Sequence, residues 1–108
     1  MNETVDAVEE TPQEVVLVMN IEGLVDREAF EKQLKRGGFS PIPDEPFSYI
    51  AETTTHKINT VLHIHSTLKR AITQGGCSSC SVILQIGEYP MEGYRYDPRQ
   101  GEFVGVDL

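Results

Sequence analysis

A continuous apolar run near the start of the chain constrains the fold most strongly. Residues 15–19, Val-Val-Leu-Val-Met, are apolar without interruption and rich in β-branched side chains. Such a run is typical of a strand covered on both faces, or of a central strand that packs against helices. We therefore expect this strand to be central in a sheet.

A helix is predicted over about residues 26–36. Asp26 is a good N-cap residue, and Phe30 and Leu34 lie one turn apart on a common face. The glycine pair at residues 37–38 ends the segment. These local signals agree with one another, and they place the apolar face of the helix against the predicted strand.

A second helix is predicted from the threonine run at residues 53–55 to about Gln74. His65 falls near the middle of its apolar stripe, so we expect this side chain to be at least half buried. It is either a core histidine that donates to a backbone carbonyl, or a histidine at a dimer seam or in a pocket, where titration near neutral pH matters. At 100° per residue the stripe comprises Ile58, Val61, Leu62, Leu68 and Ile72.

The remaining segments are strand-like. Pro41 and Pro43 cannot donate to a strand ladder, so residues 39–42 form an edge strand or an extended loop. The order of all segments predicts an α+β fold: a ferredoxin-like βαββαβ single sheet with two helices on one face, extended by a C-terminal β-hairpin. If residues 39–43 are only a loop, an open α+β sheet is the alternative. The other predicted strands cover residues 47–53, 81–86, 94–96 and 102–106.

Negative charge is concentrated at the N-terminus. The chain has 17 acids and 9 bases, a net charge of -8, and residues 1–14 hold five of the acids and no Lys or Arg. We predict a disordered acidic tail over residues 1–13 and a single α+β domain over residues 14–108. The alternative for the tail is an arm that docks on a basic partner. The acidity argues against nonspecific nucleic-acid binding.

The compartment and the cysteines are considered together. No apolar stretch approaches about 18 residues, and the N-terminus lacks the basic and apolar regions of a secretory signal, so we expect a cytoplasmic protein without membrane contact. Cys77 and Cys80 form one C-x-x-C motif and are the redox or metal candidates. The motif follows a helix and opens a strand, a context that does not favour redox chemistry, so we expect reduced thiols.

A metal within one subunit is not predicted, and neither is a cofactor. Zinc would need two further ligands beside the cysteines, but His63 and His65 point about 200° apart on a helix. His56 and His63 share a face but lie two turns apart, roughly 10 Å. An intersubunit metal held by two Cys77/Cys80 pairs remains geometrically allowed.

The C-terminal hairpin carries the binding candidates. Tyr94 and Tyr96 share one face of its first strand, and Phe103 lies on the second. Aromatic residues are enriched in protein interfaces, and neither strand contains a proline that would block an edge. With His65, these three residues are the predicted binding residues. The hairpin either completes the sheet of its own subunit or reaches a partner, and we expect a C2 homodimer through the sheet or the hairpin.

Residues 14–86 resemble small ferredoxin-like proteins of toxin–antitoxin and CRISPR-associated modules. The resemblance comes from the βαββαβ order, the Gly-Gly-Phe-Ser segment at residues 37–40 and the strand at residues 47–55. It implies a dimeric regulatory protein or a small endoribonuclease. Nucleases of the latter group place a metal-binding Asp at the end of the first strand, where this chain has Asn20 and Glu22. No catalytic residue is therefore carried over.

Two functional hypotheses follow. The chain has no nucleotide-binding, P-loop, zinc-protease or nucleophile-elbow motif, which favours a small non-enzymatic binding or regulatory module that acts through protein–protein contacts. Its partner would dock on the acidic tail or the hairpin. The alternative is a small nucleic-acid enzyme of the endoribonuclease kind, which the fold plan alone supports.

Overall fold

The structure is a computed structural model and describes residues 11–108, so the predicted acidic tail lies almost entirely outside the described residues. In chain order the elements are β1 (Gln13–Glu22), α1 (Arg27–Arg36), β2 (Ser40–Pro41), β3 (Ser48–Thr53), α2 (Lys57–Gly75), β4 (Ser79–Ile86), β5 (Glu92–Asp97) and β6 (Glu102–Val106).

The strands form one open antiparallel sheet in the order β2-β3-β1-β4-β5-β6. β1 pairs with β3 on one side and with β4 on the other, so its predicted central position is confirmed. β2 is a strand of only two residues at the sheet margin, as its prolines lead one to expect. The α+β class is confirmed in this form: two helices and a six-stranded antiparallel open sheet.

Both helices lie on one face of this sheet. Val15, Leu17 and Met19 of β1 point towards the helices and are buried, whereas Val18 is 48% exposed on the other face. Coverage of β1 on both faces, one of the two interpretations of its sequence, is therefore wrong. The apolar run is uninterrupted because Val18 pairs with Ile83 of β4, which places an apolar band on the open face as well.

α1 forms as predicted. Asp26 is its N-cap, and its carboxylate accepts a hydrogen bond from the Ala29 amide at 3.0 Å. The helix ends at Arg36 with Gly37 as its C-cap. Phe30 and Leu34 are fully buried in the core beneath the helix, which is the face that their spacing predicted.

α2 buries a stripe different from the predicted one. Ile58 is 74% exposed and Leu62 is 60% exposed, although both were assigned to the core. Small residues replace them at the contact with α1: a Cβ added to Gly37 would lie 2.6 Å from the Thr67 Cγ2 atom. An apolar count passes over such residues, although they let the two helices approach closely. The buried residues of α2 are Thr60, Ile64, Thr67, Leu68, Ala71, Ile72 and Gly75.

Candidate functional site

The β5–β6 hairpin adds to the sheet beside β4 and is attached to α2 at both ends. Lys57 forms an ion pair with Glu92 at the start of β5. Lys69 Nζ donates to Glu102 Oε1 at 3.1 Å at the start of β6. These two lysines are three turns apart on one side of α2, so that side of the helix faces the hairpin. The hairpin thus completes the sheet of its own subunit.

The predicted binding residues meet in one aromatic cluster between α2 and the hairpin. The His65 ring lies 4.4 Å from the Tyr94 ring, edge to face, and 5.1 Å from the Phe103 ring, nearly parallel. Tyr96 extends the cluster, with its ring 5.4 Å from that of Phe103. The contacts are within the chain, and Phe103 is buried. These rings therefore fix the hairpin against α2, and their role in binding a partner stays a prediction.

His65 is held as a neutral ring in this cluster. Its Nε2 atom is buried and has no hydrogen-bond partner among residues 11–108. Burial lowers the pKa of His65, and the Lys69 cation lowers it further, against the opposing effect of Glu102 and Glu92. Protonation would place a charge between the aromatic rings of Tyr94 and Phe103, where solvation is reduced.

Tyr94 and Glu92 form a hydrogen-bonded pair beside the cluster. The Tyr94 hydroxyl donates to Glu92 Oε1 at 2.6 Å. Hydrogen bonds from Lys57 and Tyr94 lower the pKa of Glu92. Burial and the hydrogen bond to Glu92 raise the pKa of Tyr94 to about 12. At neutral pH Glu92 is therefore an acceptor for two donors, and this arrangement fixes the start of β5.

β6 is a terminal strand whose outer edge pairs with no other strand in the described part of the chain. It contains no proline, and its acid Glu102 is already paired with Lys69. On a helix, positions 58 and 62 adjoin positions 65 and 69, so the exposed Ile58 and Leu62 lie on the flank of α2 beside the hairpin. The sequence analysis missed this exposed pair because it assigned both residues to the core.

The C-x-x-C cysteines lie elsewhere, at the start of β4. Both are free thiols. Burial raises the pKa of Cys80 to about 12 and also raises the pKa of Cys77. A raised pKa disfavours the thiolate that redox exchange and metal ligation require, so neither thiol is activated here. Within residues 11–108 no group of three His, Cys, Asp or Glu side chains is placed to hold a metal ion.

Asn20 and Glu22 lie at the end of β1, as the sequence analysis placed them. The Glu22 carboxylate accepts a hydrogen bond from the Ser79 hydroxyl at 3.3 Å, across the β1–β4 pair. Glu22 is thus engaged with the neighbouring strand. This contact gives the carboxylate a structural partner and identifies no catalytic group.

Neither helix in the described residues combines the length and the apolar character that a membrane crossing requires. The chain matches no protein-family model, and no curated protein and no solved structure is significantly similar to it. Its function must therefore be argued from its own geometry.

Proposed function

We propose that this protein is a non-enzymatic binding module that acts through protein–protein contacts, and that its first partner is a second copy of itself. The observation that carries the proposal is the outer edge of β6, an unblocked strand edge beside the exposed apolar pair Ile58 and Leu62. Exposed strand edges template pairing with another chain unless they are blocked.

A two-fold axis beside β6 would pair the two β6 strands antiparallel and join two six-stranded sheets. The α2 flanks would then face each other across the seam, so that Ile58 and Leu62 of both subunits leave water together. Such an isologous contact is the usual form of a C2 dimer. The Lys69–Glu102 ion pair supports this arrangement, because it neutralises an acid at the edge that would otherwise repel its copy.

The proposal includes a fold assignment. We assign residues 13–86 to the ferredoxin-like βαββαβ plan, in which the sheet order is 4-1-3-2. The order β4-β1-β3-β2 across this part of the sheet supports the assignment. The hairpin then occupies the position beyond β4, where the plan otherwise ends in an open edge. Adding the hairpin moves the free edge from β4 to β6, which is where the proposed contact lies.

Sedimentation equilibrium tests the dimer. The Ile58→Lys, Leu62→Lys double variant should shift the protein to a monomer, because it places four lysines at the seam of a dimer. Both side chains are exposed in the single chain, so the variant should fold and keep its circular dichroism spectrum. Val25→Lys is the matched control: Val25 is 84% exposed and lies in the connection before α1. It should leave the mass unchanged.

Two outcomes would contradict this proposal. A wild-type protein that is strictly monomeric at high micromolar concentration has no such dimer. A dimer that survives the double variant uses another surface. The endoribonuclease alternative has its own test, RNA cleavage with added divalent metal, in which Asn20→Ala and Glu22→Ala should abolish activity if that hypothesis holds.

A further inference from the structure

A groove of about 700 Å³ runs between α1 and the sheet margin formed by β2 and β3. Its volume falls within the range of small-molecule sites, roughly 300–1,000 Å³. A hollow of about 420 Å³ adjoins it near the β2–β3 connection, and Glu31, Pro41 and Tyr49 line both. The groove lies at the opposite margin of the sheet from β6, so it is independent of the proposed dimer seam.

Tyr49 is the polar group at the floor of the groove. β3 places it opposite Pro41 on β2 and Leu17 on β1, and only 2% of its surface is exposed. Its hydroxyl has no hydrogen-bond partner among residues 11–108. Buried polar groups without a partner are rare in native proteins and call for an explanation. A ligand in the groove would supply the missing acceptor.

The state of the Tyr49 hydroxyl supports this role. Burial raises the pKa of Tyr49 to about 12, the Glu31 carboxylate acts in the same direction, and Arg27 opposes them. The hydroxyl therefore keeps its proton at neutral pH and can donate a hydrogen bond. Around it the wall of the groove is apolar, with Ala29, Phe39 and Pro41.

The charges that remain available at the groove are mainly positive. Glu31 pairs with Arg27 at 2.9 Å, and Asp26 accepts the hydrogen bond of the α1 N-cap. Lys32 and Lys35 also line the groove, and neither forms an ion pair within the described residues. Of the lining acids, only Glu28 has no such partner in the same range. The two lysine cations therefore outnumber the one uncommitted carboxylate, which favours an anionic ligand.

We propose that this groove binds a small carboxylic acid with an apolar, aryl-sized body. The carboxylate accepts a hydrogen bond from the Tyr49 hydroxyl and lies in the field of Lys32 and Lys35. The apolar body rests on Ala29, Phe39 and Pro41. No bond is made or broken, so the groove is a sensing or carrying site within a binding module.

Phenylacetate is the probe, and two-dimensional NMR of the labelled full-length protein is the measurement. We expect a dissociation constant on the order of 1 mM, as for a fragment of this size, with shifts confined to α1, β2 and β3. Phenethyl alcohol and phenethylamine have a similar apolar body without the negative charge. Both should bind at least about tenfold more weakly, because they lack the charge-assisted hydrogen bond.

Two variants separate the parts of the site. Tyr49→Phe keeps the ring and should weaken phenylacetate binding about tenfold; Tyr89→Phe, at an exposed tyrosine outside the groove, should not. Lys32→Gln with Lys35→Gln should weaken binding and reduce its salt dependence, whereas Arg36→Gln, on the same helix but outside the groove lining, should not. Neither substitution removes a contact that the fold uses.

Equal binding of all three probes would overturn the proposal, since it would show an apolar depression without preference for an anion. So would shifts centred away from α1 and β3, or unchanged affinity in the Tyr49→Phe variant. The absence of any shift at about ten times the expected dissociation constant would overturn it as well. None of these results bears on the oligomeric state, so the dimer is tested separately.

Discussion

At the scale of single residues, His65 couples the hairpin to pH. Its ring is enclosed by Tyr94 and Phe103, and its Nε2 atom has no partner in residues 11–108. The same ring that fixes β5 and β6 against α2 when neutral would weaken that contact when charged. Lys69 adds to the cost of protonation, and Glu102 and Glu92 reduce it.

This arrangement predicts a loss of stability in mild acid. The pKa of His65 is lower in the folded state than the value of about 6.5 in the unfolded chain. The unfolded chain therefore binds more protons between these two values, so the free energy of unfolding falls as the pH drops below about 6.5. Urea unfolding of the wild type and of His65→Phe at a series of pH values measures this. Identical pH profiles of the two proteins between pH 7 and pH 5 would contradict it.

At the scale of elements, the contact between α1 and α2 depends on glycine. Gly37 ends α1 with φ of -79°, which any residue adopts, so close approach and not backbone conformation selects glycine here. The position that a Cβ would occupy lies 2.6 Å from the Thr67 Cγ2 atom and 2.7 Å from its Oγ1 atom. The Thr67 side chain is fully buried, so it has little room to move away.

Gly37→Ala should therefore lower the free energy of unfolding by about 1–3 kcal/mol through overpacking. Denaturant unfolding measures the change. The second variant, Gly37→Ala with Thr67→Ala, removes the atoms that clash and should recover most of the loss. If the double variant is as unstable as the sum of the two single variants, the steric explanation is incorrect.

The signals that predicted the fold were local, and the errors came from contacts between distant parts of the chain. The Asp26 cap, the glycine pair at residues 37–38 and the turn at residues 97–101 each act within a few residues, and α1 and the hairpin formed as expected. The buried stripe of α2 depends on how closely α1 approaches it. Thr67 and Gly75 reveal that approach only once the partner helix is known.

The same distinction applies to the candidate sites. The sequence identified His65, Tyr94, Tyr96 and Phe103 by residue type, and the structure brings them together. Their contacts are within one chain, which no pattern of spacing could determine. Tyr49 was predicted only as a strand residue, because the groove exists where α1 leaves the β2 margin of the sheet uncovered.

At the scale of the whole molecule, the proposed dimer must form against charge repulsion. Each chain has a net charge of -8, whereas the proposed seam consists of strand edges and the apolar pair Ile58 and Leu62. Association through such a seam gains nothing from ion pairs between subunits, and the overall repulsion of two acidic chains opposes it.

Added salt should therefore tighten the dimer. Screening weakens the repulsion between the subunits and leaves backbone hydrogen bonds and apolar contacts largely unaffected. Sedimentation at about 0.02 M and about 0.5 M sodium chloride should give a smaller dissociation constant at the higher concentration. Dissociation by salt would point to an ionic interface, and the β6 edge would then be the wrong surface.

The central position of β1 also determines the order in which a new chain can fold. β3 is complete at Thr53, so β1, α1, β2 and β3 can assemble while α2 is still being synthesised. The second edge of β1 stays open until β4 emerges, and the pair Ile21 and Cys80 joins positions 59 residues apart. Closing such a long loop is slow compared with forming a hairpin. Docking of β4 on β1 is therefore the step that limits maturation, and until it occurs the apolar edge of β1 is open to chaperones and to neighbouring chains.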